Sequence, residues 1–277
     1  MTPKYSIVLL SMLIFVLAAS ANTLTGDATV DQPELYVQRS DNLLLEVDFV
    51  LPGVSVKQVD FGAEQFDLFY LDKAGTTGEI GAPELPVITK LFAIPHQAKV
   101  RISSLEPQYV TYQGYSPYPH QEYEYDSPYN SADLVMDEDY YNQSGFYPDQ
   151  WVTIGSPAVM RDLRVIPVNI MPVRVDAFTG EVQVLTGLHL ELEYVKGASE
   201  NIKTHQFDQT VPTFNTMYRN LVSNYDWMNP NGEEVKGSIL IIYPNVGQVA
   251  TILQPYIDWK KRRRFQSGKC YRSIDYG

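Results

Sequence analysis

The sequence feature that most constrains the fold is a pair of long apolar stretches joined by a compact turn. Leu163 to Val175 is rich in Leu, Val, Ile and Met, and Glu181 to Tyr194 ends with apolar residues at every second position. A period of two is typical of a β-strand with one buried face and one solvent face. The turn ends at Gly180, and glycine readily adopts the positive φ that closes a hairpin. The sequence therefore predicts a long β-hairpin here.

Shorter segments before this hairpin have the same character. Glu34 to Arg39, Leu43 to Leu51 and Phe66 to Leu71 are rich in Val, Leu, Phe and Tyr, and residues 98–112 also have strand character. Turn residues separate these runs. No helix of ten or more residues is indicated before Thr213. We therefore predict a mainly β fold, with a β-sandwich or jelly-roll-like domain over residues 22–195.

The pattern changes after residue 195. Residues 196–236 are polar and rich in turn formers, and we interpret them as a linker. Ile239 to Tyr243 is a continuous apolar strand, as in a parallel sheet buried on both faces. Apolar residues then follow at helical spacing up to Trp259, and Pro255 is expected to kink or restart that helix. Residues 237–277 are therefore predicted to be the truncated start of an α/β domain, ending in a basic tail.

The amino terminus has the form of a signal peptide. Lys4 precedes an apolar run from Ile7 to Leu17, and Ala19-Ser20-Ala21 has the small-x-small form of a signal peptidase site. The run is short for a membrane span. We predict that residues 1–21 are removed after Ala21 and that the protein is secreted or displayed at the cell surface. Cys270 is the only cysteine, so no internal disulfide can form.

Charge is unevenly distributed along the chain. The net charge of −12 argues against nucleic acid as a partner, because phosphate binding requires clustered Lys and Arg. No Lys or Arg occurs between Arg101 and Arg161, whereas carboxylates and tyrosines are frequent there. The tyrosines of this acidic stretch are Tyr115, Tyr118, Tyr123, Tyr125, Tyr129, Tyr140, Tyr141 and Tyr147. These tyrosines either form a surface that binds a partner or pack onto the domain. If they bind a partner, the negative charge of the stretch favours an electropositive one.

The sequence contains no convincing metal or catalytic motif. The four histidines, His96, His120, His189 and His205, lack the spacing of a zinc site. Asp133, Asp137, Glu138 and Asp139 could collect calcium, but the glycine turn and distal Glu of a calcium loop are missing. We expect no cofactor, with calcium as the alternative left open. Cys270 has no predicted base or oxyanion site and is not expected to be catalytic.

Three segments in order carry a resemblance to a known family. They are Gly81-Ala82-Pro83-Glu84-Leu85-Pro86 with Ile94-Pro95; Arg161 to Pro172 with Thr179-Gly180 and the strand ending at Tyr194; and Ser238 to Tyr243 with Trp259-Lys260-Lys261. Together they resemble the amino-terminal pro-domain of the gingipain family of secreted cysteine peptidases, the C25 peptidases. The resemblance covers roughly residues 35 to 262.

The resemblance implies a β-sandwich pro-domain that covers the active-site cleft, keeps the zymogen silent and helps the catalytic domain to fold. That domain, in the same precursor, would be the partner, and the strand at Ile239 would begin its caspase-like sheet. No position of this chain matches the family's catalytic His and Cys, so the chain should be inactive alone. Lys203, Arg219 and Lys236 are candidate processing points, since proteases cut exposed linkers.

Two features depart from the family pattern. Arg262 to Cys270 is basic and lacks strand alternation, which indicates a truncated or frame-shifted end, or a natural basic tail that binds an acidic surface. Family pro-domains can also block the cleft with a basic side chain on a loop, but the long loop here has none. Either the parent peptidase has another preference, or a different loop enters the cleft.

A second hypothesis comes from a different functional class. A free-standing secreted β-sandwich could bind carbohydrate or a cell surface through the tyrosines, because aromatic faces suit sugar rings. A third treats the basic end as a tail for nucleic acid or an anionic surface, with binding that depends steeply on salt.

Overall fold

The computed structural model of the protein describes residues 22–24, 30–122, 134–161, 163–204, 209–228, 233–234, 238–244, 247–263 and 266–269. The strands in chain order are β1 (Asn22–Leu24), β2 (Glu34–Ser40), β3 (Leu44–Val50), β4 (Val54–Phe61), β5 (Glu64–Tyr70), β6 (Gly75–Thr76), β7 (Pro86–Ile94), β8 (Lys99–Gln113), β9 (Val152–Ile154), β10 (Ala158–Met160), β11 (Leu163–Ile170), β12 (Val173–Asp176), β13 (Glu181–Val195), β14 (Gln209–Thr210), β15 (Glu233–Glu234), β16 (Ser238–Ile241) and β17 (Gln266–Lys269). The helices are α1 (Glu138–Tyr141), α2 (Pro212–Leu221), α3 (Tyr225–Met228) and α4 (Val249–Arg262). The prediction of a mainly β fold is confirmed.

Two antiparallel sheets share the main hydrophobic core. One has the strand order β12-β13-β3-β2, with β8 on the other edge of β13, and the second has the order β10-β11-β7-β6, with β9 also paired to β11. Alternate residues of β3 and β13 face inwards, and the register places Leu190 opposite Val47. These side chains pack with Phe92 of β7 and Val168 of β11 in one buried cluster. We call these two sheets the two-sheet unit.

The predicted hairpin is present, but its first arm is divided. Leu163–Ile170 forms β11 in one sheet, and Val173–Asp176 forms β12 in the other. The division lies at Pro172, which has no N–H to donate to a continuous ladder. Gly180 closes the β12–β13 turn with φ +71, and a Cβ there would lie 3.1 Å from the Tyr115 carbonyl oxygen. The positive φ favours glycine, and a Cβ would in addition crowd the Tyr115 carbonyl.

A third antiparallel sheet, β1-β4-β5, covers a second core. Val54, Val56 and Phe69 of this sheet pack with valines of β12 and β13. Sequence patterning did not predict β4, because Lys57, Gln58 and Asp60 interrupt the apolar residues from its middle onwards. The strand is defined by its pairing with β5 rather than by its own alternation.

Residues 196–236 differ from the predicted linker. The segment contains α2 and α3, and Tyr218, Val222 and Tyr225 are buried against Ala93 of β7 and Val165 of β11. These helices therefore cover the face of the β7–β11 sheet that does not contribute to the main core. The folded unit extends through residue 228 and does not end at residue 195.

The carboxyl-terminal region forms a β-α-β arrangement. β16 and β17 pair in parallel, and α4 lies between them in the chain. The helix continues through Pro255, which was expected to kink or restart it. The pairing of β17 was not predicted either, since Gln266–Lys269 lacks an apolar pattern. Among the helices that the structure describes, we find no candidate for a membrane-spanning segment.

Candidate functional site: the tyrosine-rich excursion

The acidic tyrosine-rich segment connects β8 to β9 and is called the excursion, residues 114–151. Its first arm is fixed by backbone hydrogen bonds. The amides of Gly114 and Tyr115 donate to the Gly180 carbonyl at 3.0 and 3.2 Å. Further along, the Ser116 amide donates to the Asp67 carboxylate at 2.8 Å, and the Tyr118 amide donates to the Asp67 carbonyl at 3.0 Å. The first arm is thereby attached to the β12–β13 turn and to β5.

Both arms of the excursion meet at Gly81. The Gly81 amide donates to the His120 carbonyl at 2.8 Å, and the Asp137 amide donates to the Gly81 carbonyl at 3.1 Å. Gly81 has φ +82, and a Cβ at this position would lie 2.8 Å from the Asp137 nitrogen. A side chain would therefore meet both backbone strain and a steric clash. The glycine of the Gly81–Pro86 motif is therefore required for this junction.

A contact between two side chains reinforces the same junction. His120 Nδ1 lies 2.9 Å from Glu84 Oε2, and both side chains are largely inaccessible to solvent. The His120 amide also donates to the Ala82 carbonyl at 2.8 Å. The Gly81–Pro86 motif thus holds the first arm through side chains as well as backbone.

The two arms are also fastened directly to each other. Gln121 Nε2 donates to the Val135 carbonyl at 2.8 Å, and the Val135 amide donates to Gln121 Oε1 at 3.0 Å. This side-chain amide therefore acts like one step of a β-ladder. Residues 123–133 connect two anchored ends that lie side by side.

Five of the eight predicted tyrosines lie in the described arms, and each is half-buried. Tyr115 packs on Phe69 with ring centroids 5.8 Å apart, and Tyr118 packs edge-on against Phe66 at 6.1 Å. Tyr140 and Tyr147 pack edge to face at 4.7 Å. For these rings the packing interpretation applies.

The tyrosine hydroxyls of the second arm are also engaged. The Tyr140 hydroxyl donates to Glu79 Oε2 at 3.0 Å, and the Tyr141 hydroxyl donates to the Pro117 carbonyl at 3.0 Å. Burial, together with the Glu79 carboxylate, raises the pKa of Tyr140 to about 12. Burial also raises the pKa of Tyr141. Both hydroxyls are therefore neutral hydrogen-bond donors at physiological pH. Tyr123, Tyr125 and Tyr129 lie outside the described residues, and for them the partner-surface prediction remains a prediction.

Asp176 attaches the second arm to the β12–β13 turn. Its Oδ2 accepts from Ser144 Oγ at 2.7 Å and from the Gly145 amide at 3.1 Å, while Oδ1 accepts from the Thr179 amide at 3.0 Å. Burial by itself raises the pKa of Asp176, but the hydrogen bonds from these three residues outweigh it and lower the pKa. The ionised form is thus the one that the fold selects.

We expect Asp176→Asn to lower the free energy of unfolding by about 1–2 kcal/mol at pH 7, because a neutral amide loses charge-assisted acceptors. The folded pKa lies below the unfolded value of about 3.9. The contribution of the carboxylate is therefore complete above that value and is lost as the pH falls through the folded pKa. Urea unfolding of both proteins from pH 7 to pH 3 measures the difference, which should shrink in acid. Asp72→Asn, at an exposed carboxylate, is the control and should have little effect. A difference that stays constant with pH would contradict this role for Asp176.

The acidic run predicted as a possible calcium site has a structural role at its described positions. The Asp137 side chain caps α1 by accepting from the Asp139 amide at 3.0 Å. Asp139 in turn accepts from Gln143 Nε2 at 3.2 Å, and Glu138 lies in the first turn of the helix. Asp133 lies outside the described residues. Calcium binding remains an untested prediction.

The histidines are placed separately. His96 is half-buried, and burial together with nearby cations lowers its pKa. His205 and Cys270 lie outside the described residues. His189 is on the solvent side of β13, where hydrogen bonding to Asp48 raises its pKa. Among the described residues, the metal-ligating side chains that come together are His189 with Glu46 and Glu191. Sequence spacing missed this group because Glu46 comes from a different strand.

The predicted processing residues differ in environment. Lys203 is buried, and its amide donates to the His96 carbonyl at 3.0 Å. Arg219 is exposed on α2 and forms an ion pair with Asp226 at 3.0 Å. Lys236 and the predicted signal cleavage site at Ala21 lie outside the described residues.

The sequence is similar to those of known gingipains. Lys-gingipain of Porphyromonas gingivalis is 25% identical over 246 residues, which cover 85% of this chain and 14% of that protein. Gingipain R1 of the same organism is 18% identical over 266 residues, covering 89% of this chain and 25% of that protein. The chain therefore spans a quarter or less of the length of these relatives.

Solved structures show the same fold. The complex of Porphyromonas gingivalis RgpB pro- and mature domains includes a chain that matches with a TM-score of 0.62 at 16% identity, covering 70% of this chain and 97% of that one. A structure described as giving insight into the zymogenic latency of gingipain K from the same organism matches with a TM-score of 0.54 at 21% identity, covering 64% of this chain and all of that one.

The family assignment comes from the sequence as a whole. The model of the Propeptide_C25 family matches residues 28–226. This range contains the two-sheet unit, the excursion, and most of the α2–α3 segment that packs on it. The chain thus belongs to the Propeptide_C25 family.

Proposed function

We propose that this chain is the pro-domain portion of a secreted gingipain-like cysteine endopeptidase precursor, and that it inhibits the peptidase domain and assists its folding. Family membership supports this function. The structural observation that carries it is the fastening of the two arms of the excursion at Gly81 and at Gln121. The partner is the catalytic domain of the same precursor, and β16, α4 and β17 are the beginning of that domain.

The anchored arms suit the excursion to inhibition. A segment whose ends are already held in place loses less conformational entropy on binding than a free segment does. Residues 123–133 supply Glu124, Asp126 and Asp133 without any Lys or Arg. We propose that this connection contacts the peptidase cleft and that its charge directs it to an electropositive surface. Family pro-domains can block the cleft with a basic side chain, which this segment lacks. On this proposal, the cleft of the parent peptidase therefore prefers a substrate residue other than Arg or Lys.

Export and processing follow from the same proposal. The signal predicted over residues 1–21 would send the precursor to the secretory route, and removal of the pro-domain would release the peptidase. Lys203 and Arg219 lie in hydrogen-bonded backbone of the folded unit. We favour Lys236 as the processing residue, because it follows α3 in the polar sequence predicted as a linker, and proteases prefer exposed linkers. The carbohydrate-binding alternative is not favoured, since the described tyrosines are engaged with the domain itself.

Inhibition in trans tests the proposal. We expect the purified chain to slow peptide hydrolysis by a gingipain catalytic domain. Replacing residues 123–133 with a Gly-Ser segment of equal length should weaken the inhibition by roughly tenfold or more, as expected when an interface loses its central contacts. Circular dichroism and thermal unfolding establish that the replacement leaves the fold intact.

Two charge-neutralised variants measure how much the carboxylates of residues 123–133 contribute to inhibition. The test variant carries Glu124→Gln, Asp126→Asn and Asp133→Asn, and the control carries Asp60→Asn, Glu64→Gln and Asp72→Asn at exposed positions elsewhere. Only the test variant should lose inhibition. Failure of the wild-type chain to bind or slow the peptidase contradicts the proposed function, whereas full inhibition by the Gly-Ser variant contradicts the assignment of residues 123–133.

A further inference from the structure

The solvent side of the β2-β3-β13-β8 sheet brings together three side chains that can ligate a metal. His189 and Glu191 are two residues apart on β13 and therefore project from the same face. Glu46 of β3 lies directly opposite Glu191 in the strand register. One potential ligand atom from each of the three lies within 4.8 Å of the other two, and all three side chains are half-buried. His189 Nε2 is 3.7 Å from Glu191 Oε1.

The histidine ring is held by a fourth side chain. His189 Nδ1 lies 2.6 Å from Asp48 Oδ1, and Asp48 Oδ2 accepts from Gln38 Nε2 at 2.8 Å. Engagement of Nδ1 by a carboxylate leaves Nε2 as the nitrogen directed towards the glutamates. Metal-binding histidines in proteins commonly have this arrangement, with the second ring nitrogen bonded to a carboxylate that sets tautomer and orientation.

The charges around the cluster also favour a cation. Glu46 and Glu191 are like charges placed directly opposite each other, an arrangement that destabilises a sheet. Arg39 is the register partner of Glu46 but forms its ion pair with Asp41 at 2.7 Å. On the other side, Arg101 pairs with Glu193 at 2.5 Å. Within the described part of the chain, no Lys or Arg forms an ion pair with either glutamate of the cluster.

We propose that Glu46, His189 and Glu191 form a site for a zinc-class divalent cation, with Asp48 as a positioning residue. A tetrahedral zinc ion with bonds of about 2.0–2.2 Å holds its ligands roughly 3.4 Å apart, so only small rotations of the glutamates are needed. One imidazole nitrogen and two carboxylate oxygens suit zinc better than calcium, which takes six to eight oxygens. The solvent side provides the fourth ligand, water. The ion cross-links β3 to β13 and neutralises the opposed glutamates.

Titration of the chelator-treated full chain with Zn²⁺ tests this site by calorimetry. We expect one ion to bind per chain, with a rise in the thermal unfolding temperature and, with Co²⁺, visible absorption of a low-symmetry tetrahedral complex. His189→Gln and Glu191→Gln should each abolish stoichiometric binding. Glu193→Gln is the matched control, because Glu193 lies on the same strand and face but holds Arg101. Cys270→Ser should bind as the wild type does.

Asp48→Asn tests whether Asp48 orients His189 and is not itself a metal ligand. It should retain the stoichiometry of one ion but weaken the affinity by about 10- to 100-fold, as changes of residues that orient metal ligands do. The proposal is overturned if the wild-type chain takes up no stoichiometric Zn²⁺, or if His189→Gln and Glu191→Gln bind it with unchanged affinity. Should a variant fail to fold, paramagnetic broadening of the His189 ring resonances by Co²⁺ in the wild type decides: unaffected resonances overturn the proposal.

Discussion

Arg164→Met is expected to lower the free energy of unfolding by about 3–4 kcal/mol. The Arg164 side chain is fully buried, and its guanidinium uses all five N–H donors. The acceptors are the carbonyls of Pro95, Ala98, Glu200 and Asn201 and the Ser199 hydroxyl, at 2.5–3.0 Å. Methionine has similar bulk but donates nothing, so these five acceptor oxygens would lose their partner and the buried position would lose its hydrogen bonds. Denaturant unfolding measures the change.

The matched control for this prediction is Arg101→Met. Arg101 is an exposed arginine on the edge strand β8, and its ion pair with Glu193 is accessible to solvent. Exposed ion pairs contribute about 0–1 kcal/mol, so this variant should unfold close to the wild type. Equal effects at the two arginines would show that Arg164 does not organise the segment after β13.

Asn224→Ala should lower the free energy of unfolding by about 2–4 kcal/mol. Asn224 is fully buried, and its Oδ1 accepts from the Ala93 amide at 2.7 Å. Its Nδ2 donates to the Ala93 carbonyl at 2.9 Å and to Ser40 Oγ at 3.0 Å. The side-chain amide thus forms hydrogen bonds with the backbone of Ala93, on an edge of β7 where no neighbouring strand does so. Alanine would leave a buried amide and carbonyl without partners.

Amide exchange gives a second measurement for Asn224. The Ala93 amide should lose protection in Asn224→Ala, because its acceptor is removed. Asn220→Ala is the control, since Asn220 is exposed on α2 of the same segment, and it should change stability by less than about 0.5 kcal/mol. Unchanged protection at Ala93 would contradict the proposed role of Asn224.

The two residues before Asn224 also hold the α2–α3 segment on the sheet. The Ser223 amide donates to the Leu91 carbonyl at 2.9 Å, and Val222 forms a parallel bridge with Leu91. Residues 222–224 therefore cover a strand edge that would otherwise be open to pairing with another chain. A segment that composition alone describes as a polar linker becomes part of the domain through these few contacts.

Local patterns in the sequence were sufficient for much of the two-sheet unit. The alternation in Leu188 to Tyr194 correctly placed Leu190 and Leu192 in the core, and Gly180 correctly marked the turn. Period-two burial is a local property of a strand, so a single sequence can carry it. The same reasoning did not predict the division of the first arm at Pro172, since the sheet that each half joins depends on distant partners.

Sequence alone determined that this chain is mainly β, and it carried the resemblance to the gingipain pro-domains that the Propeptide_C25 match established. Only the tertiary structure decided that Arg164 and Asn224 lie in the core and that Glu46 meets His189 and Glu191. The physical reason is that burial of a polar side chain depends on hydrogen-bond partners that the fold delivers from elsewhere in the chain. Hydrophobic periodicity reports which face of a strand is covered, but it does not report which polar groups meet across strands.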